Sequence, residues 1–314
     1  MKTTRAVAGL GRDVARRGHR RVTTPVLLAL ILAVTVVLVP NAAAPRIDAT
    51  LMKVDVAHGL DVDPHVVWIL ALGSDARPGE PVLHSRSDAI QMVGINTRTG
   101  HATIIGVPRD SYVDIPGFGR SKINAAMVYG GPQLAARTIG NLLGLQPDYV
   151  FVTSFWGFRA MIRSLGGVRV YTPYRFSERL GHFHPGFNFT TNNSALVFVR
   201  ERHQLPNGDF GRSADQGQML IAGLKKALQD AHSPGGLERI LLSFGQNTAI
   251  DLSPGDLYRL AHAVLQVKPR FVRDCVIQGG TGMAGAQSVV YPDLAQAHRI
   301  VAGARSDARV NGCG

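Results

Sequence analysis

The chain has 314 residues, 45% of them hydrophobic and 18% charged, which is enough for one large domain or one domain with an extension. Its formal net charge of +12 is uneven, because seven basic side chains stand against Asp13 alone in residues 1–24. No helix-turn-helix, zinc-finger or RNA-recognition signature accompanies that charge, so nucleic acid is set aside as a partner. Cys275 and Cys313 are the only cysteines, and no Cys-x-x-Cys pattern offers a zinc site.

The first element is an uncharged span over 22–44 whose apolar centre reads VLLALILAVTVVLV. With its neighbours it reaches the roughly 20 residues needed to cross a membrane. The basic flank lies before it, so the positive-inside rule keeps the N-terminus cytoplasmic and sends the rest outside. Ala42-Ala43-Ala44 resembles a signal-peptide cleavage site, but Pro45 disfavours cleavage there, so an uncleaved anchor is the preferred reading. Residues 45–64 carry few signals and read as a linker.

Apolar runs follow at 66–72, 89–95 and 102–107, and the last two form a hairpin around the turn at 96–100. Pro108 stops the third run because it has no N–H for a ladder. Residues 114–119 are a turn-rich loop, and Lys122 returns toward the sheet. A helix is expected within 125–143, where Pro132 suits a first helical turn. Then come a strand at 149–152, a helix at 156–165, a strand at 168–171 and an irregular, lid-like loop at 174–191. Helices are expected at 193–199 and from Arg212 to about Gln229. The tail alternates a helix at 254–267, strands at 271–277 and 288–291, and a helix at 293–304.

Charged groups recur where apolar runs end. They are Asp75 with Arg77, Arg86 with Asp88, Arg109 with Asp110, and Arg200 and Arg202 with Arg212. In open α/β sheets ligands gather at strand ends. A guanidinium mounted there presents a fork that fits a phosphate. Mg²⁺ takes one or two carboxylates plus phosphate oxygens, so arginines among aspartates suit a polyanion held with that cation. Taken singly, each residue reads as a surface ion pair; their recurrence at element ends points to a site. Arg200 and Arg202 would not share a face of a regular helix. No Walker A loop and no Gly-x-Ser-x-Gly elbow occurs.

The ordered set Gly73-Ser74-Asp75-x-Arg77, Arg86-Ser87-Asp88, Pro108-Arg109-Asp110, Ile115-Pro116-Gly117, Lys122-Ile123-Asn124, Gly166-Gly167-Val168 and Arg200-x-Arg202…Asp209-Phe210-Gly211-Arg212…Gln216 resembles the LytR–CpsA–Psr family. The resemblance implies an α/β/α sandwich with a central mixed sheet. It also implies transfer of a glycopolymer from a polyprenyl-pyrophosphate carrier to peptidoglycan, outside the membrane, with a phosphodiester as product. By the same likeness Asp75 and Asp88 match the Mg²⁺ positions. Arg86, Arg109, Arg200, Arg202, Arg212 and Gln216 match the pyrophosphate-binding positions, with Lys122 a weaker candidate. Arg109, Asp75 and Arg202 are the residues expected to carry catalysis. The family often reads Arg-x-x-Arg-Gln where this chain has Asp215 in the second arginine position, so that residue is expected to face solvent or pair with Arg212.

The resulting division is a basic tail (1–24), a signal-anchor (25–44), a linker (45–64), a catalytic core (65–232) and a C-terminal α/β extension packed on it (233–314). A pyrophosphatase using water, and a module that binds carrier lipid or wall polymer without chemistry, are the competing readings. Export permits oxidation, so Cys275 and Cys313 are expected to form a disulfide that contributes about 3–4 kcal/mol in the chain-entropy model. Arg159 and Arg270 are expected to lie outside the site.

Overall fold

The computed structural model describes residues 48–55 and 65–313. The basic tail and the apolar span expected to anchor the chain lie outside the described residues. In chain order the elements are β1 (Ala49–Lys53), β2 (Val66–Ser74), β3 (Ser87–Asn96), β4 (Ala102–Gly106), β5 (Tyr112–Ile115), β6 (Gly119–Lys122), α1 (Ala126–Leu143), β7 (Tyr149–Ser154), α2 (Phe155–Ser164), β8 (Val168–Thr172), β9 (Phe176–Glu178), β10 (Gly181–Phe183), β11 (Gly186–Thr190), α3 (Asn192–Arg200), α4 (Gly208–Ala231), α5 (Gly236–Asn247), β12 (Thr248–Asp251), α6 (Pro254–Gln266), β13 (Val272–Val276), β14 (Gly279–Ala284), β15 (Gln287–Pro292) and α7 (Leu294–Ala304).

Seven strands form one mixed sheet in the order β12-β1-β7-β2-β3-β4-β13. β2 shows why it is covered on both faces. Val66, Trp68, Leu70 and Leu72 point into one core with α1 and α7, while Val67 and Ile69 join a second core with α6. Side chains on a strand alternate with period two, so an apolar run this continuous needs helices above and below. A third core gathers Ile162, Val168, Phe176, Phe183, Phe198 and Met219 beside the sheet. Helix α1 is interrupted at Gly130 and Gly131, the latter at φ 66°, so the regular helix begins at Pro132.

Several sequence expectations need correction. The stretch expected as a linker contains β1, which pairs parallel with β12 and antiparallel with β7 inside the main sheet. The region expected as a lid-like loop is built of β9, β10 and β11, and Phe176 and Phe183 are buried by stacking on each other. The C-terminal extension expected to pack on the core at 233–314 also supplies β12 and β13, the two edges of the main sheet. Helix α4 starts at Gly208 rather than at Arg212. Helix α5 and strands β5, β6 and β14 carry no signal that the sequence reading used.

The topology creates a site at one end of the sheet. β2 and β3 are antiparallel neighbours, with Ser74 opposite Ser87, so Asp75 and Asp88 leave the same end. The Asp75 amide donates to the Arg86 carbonyl at 2.9 Å across that gap. β4 is antiparallel to β3 with Gln91 opposite Gly106, which brings Arg109 to the same end. The edge strand β13 is closed onto the C-terminus by a Cys275–Cys313 disulfide with a Cα–Cα separation of 5.2 Å.

Candidate functional site

A cavity of about 490 Å³ opens there, and its lining includes Asp88, Arg109, Arg200, Arg202, Arg212 and Gln216. Arg109 donates through Nη1 to Asp88 Oδ1, and its Nε lies 3.9 Å from Asp110 Oδ2. Burial opposes the Arg109 charge, but Asp88 more than offsets it, and the group is held above the ordinary arginine range. Arg212 is almost fully buried and pairs with Asp209 at 2.9 Å, one helical turn away on α4. Burial lowers its pKa. Arg202 reaches the same Asp209 oxygen at 3.5 Å.

Arg200 and Arg202 converge because α3 ends between them. Glu201 adopts an extended backbone, and its carboxylate oxygen Oε1 accepts the amides of Arg202, His203 and Gln204 at 2.7, 2.6 and 3.0 Å. Burial works against the Glu201 charge, but these backbone N–H bonds hold its carboxyl below the ordinary range. The carboxylate thus fixes a turn that directs both arginines to one cavity. Gln216 lines the cavity and also holds elements together. Its Nε2 donates to the main-chain carbonyls of Asp88 at 3.2 Å and Val199 at 3.1 Å, tying α4 to β3 and α3.

Other expected residues are placed apart from the cavity lining. Arg86 is exposed. Lys122 pairs with Asp110 at 3.0 Å. Asp75 is half-buried, and burial first, then the neighbouring Asp88, raises its pKa, with Arg86 and Arg109 opposing. A carboxyl whose charge a neighbouring carboxylate disfavours fits a divalent cation. Asp75 and Asp88 fit it incompletely, because Asp88 already faces Arg109 and no group of three or more His, Cys, Asp or Glu that could hold a metal occurs among the described residues. A phosphate would have to complete the coordination, as Mg²⁺ commonly requires.

Asp215 neither faces solvent nor meets Arg212. It is 8% exposed on the inner side of α4, near Asp274 of β13, and its Oδ2 has no hydrogen-bond partner. Burial pushes both carboxyls up to about 7, with Asp274 adding to the rise at Asp215. Gly217 is what lets Asp274 sit there: a Cβ at that position would lie 2.3 Å from both carboxylate oxygens.

Sequence reasoning missed two residues of the site. Arg159, expected outside it, lines the cavity from α2 and donates to Asn192 Oδ1 at 2.9 Å. Asp110 was read beside Arg109, as the structure has it, whereas nothing in the spacing of Asp209 assigned it Arg202 and Arg212.

An apolar crevice continues from the cavity. Asp88, Leu196, Val199, Arg200 and Gln216 border both, and beyond them lie Phe155, Phe158, Met161 and Met219. The crevice extends along α4 past Leu220 and Leu224 to Phe244. A cationic chamber joined to a greasy channel suits an amphiphile with a polyanionic head.

Known proteins share this architecture. A polyisoprenyl-teichoic acid–peptidoglycan teichoic acid transferase TagU from Bacillus cereus is 33% identical over 193 residues, 61% of this chain and 62% of that protein. The chain thus spans about 62% of the length of that curated relative. The crystal structure of B. subtilis TagV superposes with a TM-score of 0.64 at 24% identity, covering 74% of this chain and 94% of that one. A LytR-CPS2A-psr family protein, YwtF (TagT), solved with bound octaprenyl pyrophosphate lipid, gives a TM-score of 0.56 at 24% identity, covering 76% of this chain and 90% of that one. The LytR_cpsA_psr family model matches residues 43–302, well over half of the sequence, and the chain belongs to that family.

Proposed function

We propose that this protein is an extracytoplasmic transferase that moves a glycopolymer from a polyprenyl-pyrophosphate carrier to peptidoglycan. The observation that carries the reading is the junction of the arginine-lined cavity with the apolar crevice at Arg200 and Gln216. A pyrophosphate fits the first and a prenyl tail the second. The names of the relatives support the same substrate class, since the B. cereus protein is called a teichoic acid transferase and the TagT structure holds a prenyl pyrophosphate.

In this reading Arg109, Arg202 and Arg212 hold the pyrophosphate, with Arg200 at the mouth of the crevice. The acceptor hydroxyl oxygen bonds to the phosphorus that carries the glycan. The bond from that phosphorus to the bridging oxygen breaks, polyprenyl phosphate leaves with the electron pair, and the hydroxyl proton is released. Arg109 and Arg202 steady the charge that grows on the leaving phosphate. Asp75 and Asp88 would hold Mg²⁺, which when bound would neutralise part of the pyrophosphate charge. The apolar span at 25–44 would anchor the chain with its N-terminus in the cytoplasm.

The test is transfer from a synthetic short-chain polyprenyl-pyrophosphate glycan to peptidoglycan fragments, with and without EDTA. Phosphodiester-linked product supports the reading; release of free glycan phosphate alone would favour a pyrophosphatase. Thermal shift with octaprenyl pyrophosphate gives a readout independent of turnover. Its Mg²⁺-dependent part should vanish in Asp75→Asn. Protease added to spheroplasts should digest the domain and spare the N-terminus, and a protected domain would overturn the topology.

A further inference from the structure

A second polar cleft, about 480 Å³ in volume, is lined by Asp209, whose carboxylate pairs with Arg202 and Arg212 of the cavity. Its polar lining is Asp110, Asn207, Asp209, Gln278, Thr281 and Ser288. One wall is the start of α4. The other is the β14–β15 hairpin, which hangs from the residue next to Arg109: the Val290 amide donates to the Asp110 carbonyl at 2.9 Å, and Ser111 bridges Val290. This wall is therefore mounted on the end of β4, which also carries Arg109.

We propose that this cleft binds the hydroxyl and amide groups of a glycan, and that in the transfer reaction it seats the acceptor. The inference rests on the transferase reading only for its second half. The chemistry of the lining sets the ligand class. The arginine cavity and this cleft have opposite character, although arginines of the first pair with a carboxylate of the second. Arg202 and Arg212 reach Asp209 from the cavity, whereas no arginine or lysine lines the cleft among the described residues. Asp110 and Asp209 are already paired with Lys122, Arg109, Arg202 and Arg212, so a phosphate in the cleft would meet carboxylates and no cationic side chain of the lining. Sugar hydroxyls donate to carboxylates, and they both donate to and accept from amides and hydroxyls such as those of Asn207, Gln278, Thr281 and Ser288.

Position argues for the acceptor. The apolar crevice shares Asp88, Arg200 and Gln216 with the cavity, so the leaving polyprenyl phosphate departs by that wall. The cleft shares no lining residue with the cavity, but ion pairs join their walls, Asp209 to Arg202 and Arg212 and Asp110 to Arg109, on a side the crevice does not border. Phosphoryl transfer places the attacking and leaving oxygens roughly in line, so the nucleophile must arrive by a wall the leaving group does not use. A hydroxyl reaching past Asp209 does so.

Thr281 and Ser288 are both exposed, so Thr281→Trp and Ser288→Trp should fill the cleft without disturbing the core. The probes are soluble, uncrosslinked peptidoglycan oligosaccharides and a polyprenyl-pyrophosphate glycan donor, each titrated calorimetrically into the wild-type and variant proteins. Oligosaccharide affinity should fall at least tenfold in both variants and the acceptor KM should rise to match. Donor affinity and donor KM should stay within twofold. Unchanged oligosaccharide binding in both folded variants would overturn the cleft as a glycan site. A loss that falls on the donor would overturn its assignment to the acceptor. Absence of transfer by the wild type, with oligosaccharide binding still lost in the variants, would sink the transferase reading and keep the glycan cleft.

Discussion

Replacing Arg109 by alanine tests the proposed mechanism most directly, because two effects of the change can be separated. Its side chain is 20% exposed and its partner Asp88 15% exposed. A preorganised donor to a developing charge contributes about 10²–10³ in rate, or roughly 2.7–4 kcal/mol. Breaking a fully buried pair costs about 3–5 kcal/mol and an exposed one at most about 1, so the mostly buried Arg109–Asp88 pair should fall between, at roughly 2 kcal/mol. In a protein of this size that lowers Tm by about 4–8 °C. Arg109→Lys keeps the charge beside Asp88 and should recover most of the stability, but it lacks the fork and should recover little of the rate. Donor transfer is measured at saturating acceptor, with thermal unfolding on the same preparations. Arg270→Ala is the control, since that side chain is exposed and only stacks on Phe271 at 4.8 Å. Arg159→Ala is not a control, because Arg159 lines the cavity; it should raise the donor KM. A folded Arg109→Ala protein that transfers at the wild-type rate would refute the site assignment, whatever the family.

Three further outcomes follow from the buried charges and the disulfide. Asp209→Ala strands the Arg212 guanidinium, whose side chain is 6% exposed, and should cost about 3–5 kcal/mol in urea unfolding, most of it recovered in Asp209→Ala/Arg212→Met; an unchanged midpoint would remove Asp209 as the anchor. Asp215 and Asp274 have folded pKa values of about 7 against 3.8, so the folded protein binds protons that the unfolded chain releases between those values. Stability should therefore fall as pH rises from about 4 to about 7 and then level off, and Asp274→Asn should flatten that slope and add roughly 2–4 kcal/mol at pH 8. A slope identical to wild type would contradict the burial argument. Cys313→Ser should lose about 4 kcal/mol, from a sequence separation of 38 in the chain-entropy model, and dithiothreitol should lower the wild-type Tm to that of the variant. No effect of reductant on the wild type would argue against the bond.

Much of the site was legible because its parts are local. Pro108 stops β4 by chemistry that needs no partner, so the placement of Arg109 at a strand end follows from neighbouring residues alone. The apolar runs at 66–72 and 89–95 bounded by Asp75 and Asp88 say as much of β2 and β3, and the ordered motifs carry the family. What the sequence left open was decided by contacts between distant segments. Ala49–Lys53 is too short and too mixed to read as a strand, and it becomes one only because β7 and β12 lie on either side. The loop character of 174–191 vanished once Phe176, Phe183 and Phe198 found a common core, since composition does not reveal which aromatic rings will meet. Arg159 entered the cavity through the packing of α2 beside α3, and Asp215 turned inward to Asp274 rather than to the arginine three residues before it. Spacing along a chain specifies which residues share a strand or a helical face. Which charges then face one another depends on sheet order and helix packing, set by burial across the whole molecule.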